Sequence, residues 1–272
     1  MTDGIARHYS EGNRLSHVIA ESLQRAGKDL EQLTTADLAS VDEFHIGGRK
    51  ATLDLATGMN LTPGARVLDL GSGLGGPART LAEAFGCHVT GIDLTPAFCE
   101  AANTLSQWVR LADRVDFQVG DATDLPFADA SFDAAMTIHV AMNIAAKDRL
   151  YAEARRVLKA GGRFAVYDVL QGEGGAIVYP VPWARTPEIS HLATPDEMPG
   201  LLTAAGFRVL TVDDSSDASL AWFQAMAARL ATNAPAVNFQ TFLGIDFPVM
   251  ARNQVTNLRE RRIRTVSYIC QA

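Results

Sequence analysis

The stretch Val67-Leu68-Asp69-Leu70-Gly71-Ser72-Gly73-Leu74-Gly75-Gly76-Pro77 constrains the rest of the chain more than any other. A short apolar run carrying an acid leads into a glycine-rich turn, and residues 78–85 have helical spacing. Strand, tight turn and helix in that order let backbone amides approach a ligand closely, because glycine has no Cβ to hold it off. Gly71, Gly73 and Gly76 satisfy G-x-G-x-x-G, a pattern that admits a dinucleotide and also occurs in purely structural turns. The turn alone does not choose its ligand; the ends of the neighbouring strands do.

From residue 66 apolar runs alternate with amphipathic stretches. Strands are expected at 66–70, 87–92, 115–119, 132–138, 163–169, 207–212 and 263–270. Helices at 78–85, 96–109 and 147–158 separate the first five, and another opens at 194 and ends at Gly206. Pro96 sits where a first helical turn accepts proline. Alternation of this kind gives an α/β fold, a parallel sheet with helices on both faces.

Residues 1–62 lack strand alternation and read as a helical N-terminal extension, a lid over a main domain of 63–272. Its helices are expected at 15–26, 29–38 and 49–56, with a helix start at Thr34 to Asp37 and a break at Gly47-Gly48. Two further segments, 171–195 and 218–262, form a helical cap. The first is Gly- and Pro-rich, and loops of that length in a compact domain usually carry function. The second holds helical patterns at 220–230 and 249–261.

The formal net charge of −7 argues against nucleic acid as a partner, since phosphate contacts need clustered Lys and Arg. The one basic cluster, Arg259, Arg261, Arg262 and Arg264, reads as a solvated helix end. No apolar run approaches the ~18 residues of a membrane span, so no membrane association is expected. The N-terminus lacks a basic-then-apolar leader pattern. Cys87, Cys99 and Cys270 are scattered and show no metal-ligand spacing, so a cytoplasmic setting and no metal are expected. The cap helices could shape a homodimer surface, although the composition does not demand one.

In an open parallel sheet the ligand lies at the carboxyl ends of the strands. Here Asp69, Asp93 and Asp121 sit at or near three successive strand ends. Such a cluster suits a ligand with a cationic centre and ribose hydroxyls, and suits a pyrophosphate poorly. Asp93 comes 20 positions after Gly73, where an acid accepts from ribose hydroxyls. An NAD site shares that acid but requires neither Asp69 nor Gly120-Asp121-Ala122. S-adenosylmethionine, with a ribose, an ammonium and a sulfonium, matches the acids better.

Val67 to Gly75, Gly91-Ile92-Asp93-Leu94, Gly120-Asp121-Ala122 and Leu158-Lys159-Ala160-Gly161-Gly162 resemble, as an ordered set, the motifs of class I S-adenosylmethionine-dependent methyltransferases. The resemblance implies a Rossmann-like, seven-stranded, mostly parallel sheet with the last strand antiparallel. It also implies roles. Asp69 and the backbone of Gly71, Ser72 and Gly73 would hold the methionine part of the cofactor. Asp93 would hold the ribose with Leu94 against the adenine, and Asp121 would accept from the adenine amino group beside Ala122. Ala160 stands where the family commonly has proline, in a turn away from the cofactor. A narrower set, His139-Val140-Ala141-Met142-Asn143-Ile144, Tyr167-Asp168-Val169 and Tyr179-Pro180-Val181-Pro182-Trp183-Ala184, resembles the sarcosine and dimethylglycine N-methyltransferase group.

Methyl transfer from a sulfonium is an in-line displacement. A hydroxyl or carbon nucleophile usually needs a base, whereas an amine needs only to be neutral. His139, at the end of the fourth strand, is the candidate base and also a cofactor-pocket residue; its plain alternative is packing at a loop end. Asn143 could orient it or a polar substrate, or serve the turn. Tyr167 and Asp168 face opposite sides of a strand, so one of them points into the cleft; Asp168 is carried as a substrate contact. Tyr179, Trp183, Trp222 and Phe223 either pack the core or form an aromatic wall, which would attract a methylated ammonium or a flat apolar acceptor. Arg185 reads as a solvated loop residue that could meet a carboxylate. In related enzymes such an extension closes over the cofactor, and on that basis Tyr9 joins the catalytic candidates and His45 the substrate contacts.

The expectation is thus a small-molecule methyltransferase, favoured for an amine such as sarcosine or dimethylglycine. O- or C-methylation of a secondary metabolite or a prenyl diphosphate is the alternative. An NAD-dependent oxidoreductase and a scaffold that has lost turnover are the rivals from other classes.

Overall fold

A computed structural model describes residues 15–232 and 244–272 of the chain; Tyr9 lies outside them. Seven strands form one sheet in the order β3-β2-β1-β4-β5-β7-β6. They are β1 (Arg66–Leu70), β2 (His88–Asp93), β3 (Val115–Val119), β4 (Phe132–Ile138), β5 (Leu158–Gln171), β6 (Arg208–Asp214) and β7 (Ile263–Gln271). β7 runs antiparallel to both its neighbours, and every other pairing is parallel. The strand order reverses between β1 and β4, which opens a crevice at their carboxyl ends.

The extension carries α1 (Leu15–Arg25), α2 (Thr35–Asp42) and α3 (Gly48–Thr57). The crossover helices are α4 (Gly76–Phe85), α5 (Pro96–Trp108) and α6 (Lys147–Val157). Between β5 and β6 lies α7 (Met198–Ala204), and the cap region carries α8 (Ser216–Thr232) and α9 (Phe247–Arg259). None of the described helices is long and apolar enough to cross a membrane.

Apolar side chains on the two faces of the sheet form separate cores, one around Leu70, Ile92, Leu150 and Tyr268, the other around Val67, Leu81, Val89 and Met136. A third core places Leu15, Ile19, Leu23, Leu38 and Val41 of the extension against Leu74 and against Phe98 and Leu105 of α5. Each fully buried Leu or Ile contributes ~1.5–3 kcal/mol, enough to hold the extension against the sheet domain. A fourth core gathers Ile46, Met142, Val181, Trp183, Phe223 and Leu258 beneath the cap.

Three of the boundaries that differ from expectation have a visible cause in the structure. The helix expected at 29–38 is a one-turn 3₁₀ segment at Leu30–Gln32 and then α2, because Asp37 Oδ2 accepts from both the backbone N–H (2.9 Å) and the hydroxyl (2.7 Å) of Thr34 and starts a new helix there. β5 begins at Leu158 rather than residue 163: Leu158 pairs with Phe132, the ladder bulges, and pairing resumes at Arg163 with Ala134. The helix opening at Thr194 has its start anchored there, with Glu197 N–H donating to Thr194 Oγ1 (3.2 Å) and Thr194 N–H to Glu197 Oε2 (2.8 Å), but its regular turns begin only at Met198.

Candidate active site

The glycine turn crosses onto β2. Gly71 and Ser72 N–H donate to Ile92 O at 2.8 and 3.0 Å, and Gly73 N–H donates to Asp93 Oδ2 at 2.9 Å. Gly71 has φ +75°, and a Cβ there would lie 2.4 Å from Val140 Cγ2. A Cβ on Gly91 would lie 2.4 Å from the ring of Phe117 and 2.7 Å from Ser72 Cβ. Both positions therefore require glycine to let the turn close on the sheet.

Beyond the turn is a cavity of about 300 Å³ lined by Gly71, Ser72, Gly73, Asp93, Leu94, Asp121, Ala122, His139 and Asn143. Asp93 Oδ1 accepts from Thr95 N–H at 2.9 Å, and Asp121 Oδ1 from both the N–H and the hydroxyl of Thr123 at 2.8 Å. Asp69 is buried and does not line the cavity. Its Oδ2 has no hydrogen-bond partner, and burial, reinforced by the charges of Glu43 and Asp93, pushes its carboxyl up to about 8. The Ser72 hydroxyl is also buried without a partner.

His139 and His45 stand where this cavity meets a second one of about 70 Å³. His139 comes just after β4 with φ +54°, and its N–H donates to Tyr167 O at 2.7 Å. Its ring lies 4.8 Å from that of Tyr167, and Nε2 is buried with no hydrogen-bond partner. Burial, and then the neighbouring His45, hold its pKa well below the usual imidazole value. His45 Nε2 lies 3.1 Å from both Gly48 O and Thr52 Oγ1, and burial brings its pKa down to about 4. Both imidazoles are neutral at ordinary pH.

The second cavity is lined by Phe44, Ile46, Met142, Trp183, Trp222 and Phe223, and on the α9 side by Phe247, Ala251 and Gln254. Trp222 and Phe223 meet edge-on at 4.9 Å. Trp183 is fully buried and donates from Nε1 to Ser190 Oγ at 3.0 Å. Asn143 ties the cap loop down: its Nδ2 donates to Trp183 O at 2.8 Å and to Ile189 O at 2.9 Å.

Two expected substrate contacts are not brought to the cleft. Asp168 lines neither cavity: it is fully buried, its Oδ1 accepts from Val169 N–H at 2.9 Å, and the cationic charge that acts on it is that of Lys147. Strand alternation turns Tyr167 toward the histidines instead. Tyr179 packs on the cap core and lines neither cavity. Arg185 is paired with Asp246, and Arg261, Arg262 and Arg264 are spent on surface carboxylates. Among the described residues no group of three or more His, Cys, Asp or Glu is placed to hold a metal.

Residues that the sequence alone does not single out complete the site. Asp42 and Phe44 line the cofactor cavity, and Phe247, Ala251 and Gln254 share one face of α9. Their spacing of four and then three along the helix is the signal that could find them. The run Asp42-Glu43-Phe44-His45 ahead of Gly47-Gly48 is another.

A glycine-floored cavity with unpartnered buried oxygens around it, ringed by carboxylates, fits a cationic nucleoside and not a pyrophosphate. Known proteins point the same way. Residues 68–166 match the methyltransferase domain family. The chain is 30% identical over 181 residues to the O-methyltransferase rstn1 of Aspergillus nomiae, covering 65% of this chain and 80% of that protein. The chain belongs to the S-adenosylmethionine-dependent methyltransferases, and S-adenosylmethionine is the cofactor that the cavity accommodates, so the NAD reading is set aside. Among solved structures, the cyclase SpnF superposes with a TM-score of 0.67 at 27% identity, covering 82% of this chain and 80% of that one. A putative sarcosine dimethylglycine methyltransferase from Galdieria sulphuraria gives the same TM-score of 0.67 at 20% identity, covering 82% and 84%, and shares the fold. Sterol 24-C-methyltransferase ERG6B of Gibberella zeae is 40% identical over 116 residues, 43% of this chain, and the chain spans only 30% of that relative's length.

Proposed function

We propose that this protein transfers the methyl group of S-adenosylmethionine to a hydroxyl of a largely apolar small molecule, with neutral His139 receiving the proton. One observation carries the reading: His139 Nε2 is buried and unpartnered where the cofactor cavity opens into an aromatic chamber. A hydroxyl nucleophile needs such an acceptor; an amine does not. When bound, S-adenosylmethionine supplies an electrophilic methyl carbon and a neutral thioether leaving group. Phe44, Trp183, Trp222 and Phe223 hold the acceptor and exclude water. That fixed orientation contributes ~7–11 kcal/mol toward the barrier. Tyr167 and His45 hold the His139 ring between them.

An amino-acid acceptor such as sarcosine has less support. The aromatic walls would attract its ammonium by ~0.5–2 kcal/mol per contact. Its carboxylate, however, finds no Lys or Arg among the described residues of the chamber, and a prenyl diphosphate meets the same lack. The 30%-identical relative is itself named as an O-methyltransferase. Packing of α1 and α2 on Leu74 and α5 supports residues 1–62 as a lid over the methyltransferase domain of 63–272. Three buried free thiols support a reducing, cytoplasmic setting.

The test is methyl transfer from labelled cofactor to a panel of phenols, apolar alcohols, glycine, sarcosine, dimethylglycine and prenyl diphosphates. Turnover of hydroxylated apolar acceptors is expected. Turnover of sarcosine or a prenyl diphosphate, with none of any alcohol or phenol, would overturn the reading.

A further inference from the structure

We propose that Asp42, at the C-terminal end of α2 in the extension, binds the α-ammonium of the cofactor directly, so that the extension completes the methionine subsite. The inference rests on the cofactor assignment and names a ligand outside the glycine-turn motif.

Asp42 is 4% exposed and lines the cofactor cavity. Its two oxygens are used differently. Oδ2 accepts from Arg79 Nη2 at 2.8 Å, whereas Oδ1 is buried with no partner. Two other acids near the glycine turn are already engaged. Both oxygens of Asp93 accept from backbone N–H groups, and both oxygens of Glu43 accept from the hydroxyls of Thr52 and Thr80. Asp69 Oδ2 also lacks a donor, but Asp69 does not line the cavity. Asp42 Oδ1 is therefore the carboxylate oxygen that belongs to a lining residue at this end of the cavity and still lacks a donor, among the described residues.

The fold makes room for it. A Cβ on Gly76, the first residue of α4, would lie 2.3 Å from Asp42 O and 2.9 Å from Asp42 Oδ1. The glycine lets the extension reach the start of the helix beyond the turn. Arg79 fixes the approach: it is fully buried and also donates to Ala102 O, Ser106 Oγ and Leu74 O, so it anchors one carboxylate oxygen and leaves the other for a ligand. Burial raises the Asp42 carboxyl above its ordinary range, a cost that a bound ammonium would relieve.

The experiment compares two ligands in the full chain. S-adenosylhomocysteine carries the ammonium; 5′-methylthioadenosine keeps the adenosine and thioether and lacks the amino-acid portion. Asp42→Asn is expected to weaken S-adenosylhomocysteine by about tenfold or more and 5′-methylthioadenosine by less than about threefold in calorimetric titration. Equal losses for both ligands would make Asp42 a purely structural residue, and no loss for either would remove it from the site; both outcomes overturn the proposal. A crystal structure of the unaltered protein with S-adenosylhomocysteine serves even if the variant fails to fold. The ammonium nitrogen is expected within ~3.2 Å of Asp42 Oδ1, and a separation beyond ~3.5 Å overturns the proposal. If neither ligand bound the unaltered protein, the cofactor assignment would fall, and this proposal with it.

Discussion

The imidazole of His45 meets that of His139 edge-on, with ring centroids 6.0 Å apart and planes at 79°. One comes from the extension and the other from the end of β4, and both line the cofactor cavity and the chamber beside it. A proton on either ring disfavours a proton on the other, which is part of why the His139 pKa is depressed. Burial first, and the pair second, thus hold His139 in its neutral form. The same contact brings the extension to the lining of both cavities.

Removing the base should separate chemistry from binding. His139 occupies left-handed backbone, which Asn tolerates better than most residues, so His139→Asn removes the imidazole and spares the turn. The expected result is a fall in kcat of roughly 10²–10⁴. The dissociation constant of S-adenosylhomocysteine should change less than about fivefold. Stopped-time methyl-transfer assays and titration read the two quantities, and undiminished kcat would exclude His139 as proton acceptor.

Buried carboxylates give the cofactor-free protein an unusual pH dependence. Burial pushes Asp69 up to about 8 and Asp168 up to about 7, from an ordinary value of 3.8. Above pH 6.5 and below those values the folded chain holds protons that the unfolded chain has released, so stability falls as pH rises. His45 has its pKa lowered to about 4 from 6.5, so its contribution is lost only as pH falls below 6.5 and does not oppose the trend above it. Between pH 6.5 and 8.5 the loss is on the order of 2 kcal/mol, or roughly 4–8 °C in Tm. Saturating S-adenosylmethionine should lessen it, because positive charge beside the glycine turn favours the ionised carboxylates. Scanning calorimetry at the two pH values checks this, and a Tm that holds or rises at the higher pH refutes it.

The glycine turn and the acid-ended strands are legible in the sequence because the backbone leaves no alternative there. Gly71 and Gly91 have no room for a Cβ, and Asp93 must meet Gly73 N–H for the turn to close. The choice between Tyr167 and Asp168 is not legible, since strand alternation has two phases and only the neighbouring strands select one. Asp42 and Glu43 escape notice for a different reason. Acids at the end of a short helix look solvated until Arg79, Thr52 and Thr80, distant in sequence, close over them. The chamber wall on α9 reads only as a helix, because its inward face is defined by the loop it packs against.

Asn143 should matter for the loop that carries Trp183 more than for proton transfer. Its amide is the donor to two carbonyls on either side of a bend, Trp183 O and Ile189 O. Asn143→Ala leaves both acceptors without that donor, at a cost of about 1–3 kcal/mol in unfolding free energy. The acceptor KM should rise with it while kcat at saturation falls less, because Trp183 shifts in the chamber and His139 keeps its place. Urea denaturation and steady-state kinetics test the two halves. A kcat loss as large as that of His139→Asn would instead place Asn143 in the proton path.

The α9 wall offers the sharpest test of where the acceptor sits. Ala251 is the small residue on that face, half-buried between Phe247 and Gln254, and all three border the chamber. Ala251→Trp would fill much of a space of about 70 Å³ without touching the glycine turn. Overfilling a formed pocket costs ~1–3 kcal/mol, so kcat/KM for the acceptor should drop by roughly 5–150-fold. S-adenosylhomocysteine binding should stay within about twofold, since its cavity has no lining residue on α9. An acceptor smaller by a ring or a branched alkyl group should recover part of the lost rate in the variant. If neither acceptor discriminates between the two proteins, the acceptor does not occupy this chamber, and the aromatic wall of Trp222 and Phe223 is packing.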